Sequence, residues 1–202
     1  MKKVMAVVFA LGSFILPFQT AIGQDSLGET TVNYNQDARQ ARINDLKDQY
    51  KINLQDNEKL AVTARCKTAQ KKLVILSGEL AQTTIARRAV YQDNIDSLKR
   101  IQSRLLASQI DTSSLDLLTV TYQQKLKSFE STSENYALTI EDAVTLDCTA
   151  NPEDFRAALE GVRAARKKVV LVTAEIRETT RSSLKTTTDT LTNRLKGVEA
   201  RQ

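Results

Sequence analysis

Residues 114–146, SLDLLTVTYQQKLKSFESTSENYALTIEDAVTL, decide the fold class. Leu115, Tyr122, Phe129, Tyr136 and Ala143 recur every seven residues, with Leu118, Leu126 and Ile140 beside them. A seven-residue apolar repeat holds one face of an α-helix against a neighbour over many turns, since seven residues nearly complete two turns. No period-two alternation competes with it, so no strand is expected. Ahead of the run, Ser113 and Asp116 form a capping-box pattern in which the Ser oxygen accepts from an early backbone N–H and the Asp reaches back. The stretch therefore predicts a helix over about 114–146 whose ring-bearing seam requires partner helices.

The neighbouring sequence supplies them. Asn151-Pro152-Glu153-Asp154 places an N-cap, a proline at the first helical position and two acids in the first turn, the standard start of a helix. Its apolar stripe runs Phe155, Leu159, Val162, Val169, Ile176, then Leu184, Leu191, Leu195 and Val198, predicting a helix over about 152–198. Thr is dense from Thr179 to Asn193 and is a mediocre helix former, so this half is expected to be the softest. Upstream, no proline separates Asp37 from Pro152. Cys66, Ala69, Leu73, Leu76 and Leu80 step by three and four, resuming at Tyr91, Ile95, Leu98 and Leu105, which predicts one long helix over about 37–108. Before Cys66 its seam is poor, with Asn53 and Asn57 at apolar positions, so that part is expected to project or pair weakly. The predicted architecture is all-α: an extended antiparallel three-helix bundle or coiled coil over residues 37–202.

The amino terminus reads as an address. Met1-Lys2-Lys3 precedes an apolar run from Val4 to Leu16, and Ala21-Ile22-Gly23 offers a small-x-small cleavage site before Gln24. The apolar run is too short for a bilayer core at about 1.5 Å per residue. Residues 1–23 are thus expected to be a cleaved secretory signal, an uncleaved anchor being the alternative, and residues 24–36 a flexible lead-in. The expected location is periplasmic, cell-surface or secreted.

In such a compartment Cys66 and Cys148, an even pair, are expected to form one intramolecular disulfide, an intermolecular bond or free thiols being the alternatives. There is a geometric difficulty. With the first turn near 108–113, Cys148 should lie opposite residues near 73–76, too far from Cys66 for bridging unless the middle helix ends by about residue 144. Gly78 and Gly161 would then fall at similar heights on the first and third helices. They either permit close helix approach or are simply tolerated.

The chain has 29 Lys+Arg against 24 Asp+Glu, formally +5, with no His and no Trp. Two lysines leave with the leader. The remaining charge divides by segment into a basic first helix, an acidic middle helix and a basic third helix, an order that suits the middle one as shared partner. Two clusters stand out: Arg65, Lys67, Lys71 and Lys72 around Cys66, and Arg163, Arg166, Lys167 and Lys168 early in the third helix. If the disulfide forms, both are expected at one end of the bundle, where they could hold lipid headgroups, an anionic envelope polymer or a membrane surface. Scarce aromatics and no recognition motif argue against specific nucleic-acid binding.

Catalysis finds little support. Without His there is no His base and no His-assisted nucleophile, and two cysteines cannot build a zinc ribbon. Glu141-Asp142 and Glu153-Asp154 are adjacent pairs whose side chains diverge on a helix. There is no Gly-rich phosphate loop. No catalytic residue, cofactor or metal is expected. The sequence reads as an exported, non-enzymatic helical protein that engages protein partners through its helix surfaces, with oligomerisation open. The alternatives are a holdase-type chaperone or an anion-binding surface protein.

Overall fold

A computed structural model describes residues Leu27–Glu199. It is all-α, with four described helices: α1 Leu27–Tyr50, α2 Asp56–Ala107, α3 Ser113–Thr145 and α4 Pro152–Glu199. The expected leader at 1–23 lies outside the described residues. The chain divides into two compact units, residues 1–36 and 37–202. The core, the disulfide and the candidate surfaces all belong to the second. In the first, the expected flexible lead-in over 24–36 is helical from Leu27 onward. No proline interrupts this segment, and a helix already nucleated downstream extends at one hydrogen bond per residue.

The predicted single helix over 37–108 is two helices, α1 and α2. The break is a Schellman motif: Lys51 adopts a left-handed φ of 50°, and the Ile52 N–H donates back to the Lys47 carbonyl at 3.0 Å. The same device ends α2, where Gln109 has φ 58° and the Ile110 N–H donates to the Leu105 carbonyl at 2.9 Å. Glycine usually takes this position; here Lys and Gln do, which is why neither end is punctuated in the sequence. The Glu58 carboxylate accepts from the Gln55 N–H at 2.9 Å and starts α2. Asn53 sits in the connection and Asn57 is exposed in the first turn of α2, so the poor seam marked a chain reversal.

The segment expected to project or pair weakly does not project; it is docked by a small set of contacts. Ile43 of α1 is fully buried, and Leu46 packs on Gly161 of α4. The main core lies among the three long helices, with α3 against both α2 and α4 and a thinner contact between those two. α3 runs antiparallel to α2, as Cys66–Cys148, Arg88–Glu130 and Gln102–Asp116 show. It runs antiparallel to α4 through Tyr122–Thr180 and Lys125–Glu175. The seven-residue seam of α3 is buried throughout: Leu115, Tyr122, Phe129, Tyr136 and Ala143, with Tyr91 of α2 edge-on to Phe129 at 5.3 Å. Ser113 is not the N-cap of α3. Thr112 holds that place, and the Ser113 N–H and hydroxyl both donate to Asp111. In the Thr-rich half of α4, the hydroxyls of Thr179, Thr180, Thr186, Thr190 and Thr192 donate to carbonyls four residues back. That bonding lets Thr occupy helix without an unmet donor.

Candidate docking surface

The disulfide corner positions everything near it. Cys66 and Cys148 are bonded, with Cα atoms 5.9 Å apart and both residues fully buried. The geometric difficulty is resolved by ending α3 at Thr145 and extending Leu146 (φ −67°, ψ 142°). Gln70, one turn beyond Cys66, makes that ending possible. Its amide Nε2 donates to the carbonyls of Ala143, Val144 and Leu146 at 3.1, 3.0 and 2.8 Å. Those carbonyls lie at or just beyond the C-terminal end of α3, and a side chain from another helix satisfies them inside the core. Nothing in its sequence context marks Gln70 for this role. Its i+4 spacing from Cys66 on the buried face is the sole signal.

Three of the four carboxylates weighed as catalytic groups, Asp142, Glu153 and Asp154, are occupied in holding α1. Buried Asp142 receives Arg42 bidentately, at 2.8 and 2.7 Å, with Arg39 at 3.5 Å. The hydrogen bond to Asp142 raises the Arg42 pKa and keeps its charge. Lys47 donates to Asp154 at 2.9 Å, which raises the Lys47 pKa, and Lys59 meets Glu153 at 3.2 Å. The Lys59 contact holds the Glu153 carboxyl below the usual glutamate range. Asp147 is lowered as well, chiefly by the Thr149 hydroxyl that donates to it. The expected pairing of basic and acidic helices is present in Arg88–Glu130, but Lys125–Glu175 runs with the signs reversed. Much of the complementarity joins α1 to the ends of α3 and α4.

The eight basic residues of the two clusters are all exposed. Arg65 shares a groove with Cys66 and Ala69 of α2 and Phe155, Arg156 and Leu159 of α4, so its near neighbour across the helices is Arg156. Farther along, Arg87 donates to Thr173 at 3.4 Å. Arg163, Arg166, Lys167 and Lys168 fall between these contacts, beyond Lys72. The clusters therefore occupy successive heights, and Lys167 and Lys168 diverge by about 100° around the helix. Arg163 pairs with Glu160 at 2.6 Å. Among the described residues the structure shows no ion pair for the other seven.

Gly78 and Gly161 differ in role. A Cβ at Gly161 would meet Leu46, whereas one at Gly78 would meet nothing within 4 Å. The close approach is between α1 and α4, and Gly78 is open. It lies in a loosely covered stretch of α2. From Val74 to Asn94 no residue of α2 is buried, although the helix has buried Leu73 before and Ile95 after. Val74, Ile75, Ile85 and Val90 are each more than half exposed. Beside them a groove of about 480 Å³ separates α2 from α3, lined by Leu80, Ala81, Ile85, Arg88, Glu134 and Ala137 among others.

Among the described residues no cluster of three potential metal ligands occurs, and no helix is long and apolar enough to cross a membrane. No protein-family model, curated protein or solved structure matches this chain.

Proposed function

We propose that this chain is an exported, non-catalytic helical docking protein of the cell envelope or secreted space, with the outer face of α2 as its working surface. The single observation behind the reading is the stretch Val74–Asn94, about six turns of a long helix whose inward side chains Leu76, Leu80 and Tyr91 are only partly buried while Val74, Ile75, Ile85 and Val90 are more than half exposed. In water such a face is a cost that an isolated bundle has no reason to keep, and it is the usual mark of an interaction site. The test is a photocrosslinking side chain at Ile75 or Ile85, compared with one at exposed Asp189 on α4. Crosslinks in the native envelope at the first two positions and none at the third support the reading. Equal yields at all three overturn it.

A second reading is favoured by the seven basic residues without ion pairs among the described residues: an anionic envelope polymer or lipid headgroup meets α2 and α4 through Arg65, Lys67, Lys71, Lys72, Arg166, Lys167 and Lys168, with Arg163 beside them. Reversing the charges of Arg163, Arg166, Lys167 and Lys168 together should release the protein from the envelope at moderate salt. Unchanged association removes this reading. A holdase-type chaperone, motivated in the sequence by the weak seam at Asn53 and Asn57 and the Thr-rich half of α4, has less behind it, since Asn53 lies in the α1–α2 connection and Asn57 in the first turn of α2.

A further inference from the structure

Val74, Gly78, Ala81 and Ile85 are spaced four, three and four residues apart, the stripe that one face of a helix presents to a partner helix. All four are exposed. Across the groove α3 offers Ala137, and next to it, outside the groove, Leu138; both are exposed. The stripe has opposite charges on its two sides. Lys67 and Lys71 lead into it on α2, while Glu134 and Glu141 flank it on α3.

We infer that this α2–α3 face is a twofold interface that pairs the chain with a second copy of itself. The inference rests on the reading of α2 as a docking surface and names its occupant. Charge sign and helix register single out that occupant. A twofold axis parallel to the helices keeps each level of the bundle at its own height while setting α2 of one copy against α3 of the other. In the antiparallel pair the level of Lys71 is that of residues near 143, since Gln70 meets Ala143 and Arg88 meets Glu130. Lys71 of each copy therefore comes near Glu141 of the other, and the middle of the α2 stripe, around Gly78, opposite Ala137 and Leu138. An axis across the helices through the middle of the stripe would set α2 on α2 in opposite directions, with Lys71 of each copy opposite the Arg87–Arg88 end of the other, and that arrangement is repelled. An acidic helix from another protein fits less well because Glu134 and Glu141 edge the same groove.

Size is sufficient. The unburied stretch is about 30 Å long and two helices of about 10 Å wide, a footprint on the order of 600 Å² per copy before side-chain relief, near the roughly 800 Å² of a standard interface. Gly78 lies in the middle of the stripe with open space over it, which allows two helices to approach closely there.

The test is the mass of the full, disulfide-intact chain by sedimentation equilibrium from about 1 to 100 µM, a range that brackets a micromolar association. A dimer is expected. Gly78→Leu projects into space that is empty within one copy, so folding is retained by circular dichroism while the dissociation constant rises at least about tenfold. Lys71→Glu weakens the dimer, and adding Glu141→Lys in the same chain restores it, because each copy then presents both reversed partners. A monomer at every concentration, or a dimer indifferent to Gly78→Leu and Lys71→Glu, overturns the inference. A monomeric chain that still crosslinks to another envelope protein at Ile85 overturns the self-pairing alone and leaves the docking reading standing.

Discussion

Leu46 occupies the space that a side chain at Gly161 would need: a Cβ there would lie 2.8 Å from the Leu46 Cδ1 atom. The short helix α1 is thereby keyed to α4 at one residue. Its orientation is then held by charge, through Arg42 on Asp142 and Lys47 on Asp154.

Gly161 and Gly78 should respond oppositely to substitution. Gly161→Leu displaces Leu46 and costs about 1–3 kcal/mol as an overpacked contact. Gly78→Ala adds helix propensity with no clash and stabilises by roughly 0.5–1 kcal/mol. Urea unfolding of the two variants checks the pair, and changes of the same sign would contradict the docking of α1 on α4.

Lys51 and Gln109 hold left-handed backbone that costs a residue with a Cβ about 1–2 kcal/mol. Lys51→Gly and Gln109→Gly should each raise stability by roughly 0.5–1 kcal/mol, where glycine in a regular helix interior would lower it. A fall in melting temperature for Lys51→Gly would mean that α1 and α2 form the single helix that the apolar spacing suggests.

Gln70→Leu removes the donor for the carbonyls near the end of α3 and should cost about 1–3 kcal/mol, the desolvation penalty of unmet buried acceptors. Hydrogen exchange should quicken first in the last turn of α3. Uniform acceleration across all helices would instead mark a general loss of packing.

The disulfide closes an interval of 82 residues. In the chain-entropy model such a loop contributes about 4 kcal/mol through the unfolded state. Replacing both cysteines with serine should lower stability by that order. Both cysteines are fully buried in the folded chain, so reduction should require unfolding, and its rate should track denaturant concentration.

The pH dependence follows from Glu153. Its pKa is depressed in the folded chain by Lys59, so the contact adds stability above the ordinary glutamate range and loses it as pH falls through the depressed folded value. Amides near the α1–α2 connection should lose protection in that acidic window. Glu153→Gln should flatten the dependence there, and an unchanged profile would remove the Lys59 contact as its cause.

Helix identity was legible locally. The seven-residue seam of α3 and the Asn151-Pro152 start of α4 place those elements to within a residue or two, because an apolar repeat and a proline act within one segment. The disulfide was suggested by the even pair of cysteines. The break at Lys51 was not, since a Schellman end built on lysine leaves no glycine or proline to read. Gln70 was equally hidden. Its value depends on which carbonyls a different helix brings within hydrogen-bond reach, and the glycine roles were divided the same way, by what packs over each.

By itself, then, the sequence determined that this chain is helical and where the seams of α3 and α4 run, because these follow from periodicity along one chain. Only the tertiary structure decided that α1 folds back to dock, that the acidic pairs anchor it, and that α2 keeps an uncovered face from Val74 to Asn94. Those outcomes depend on which surfaces compete for the same groove. α1 reaches the ends of α3 and α4 because a short connection, residues 51–55, turns it back beside the start of α2. No element among the described residues reaches the outer side of α2.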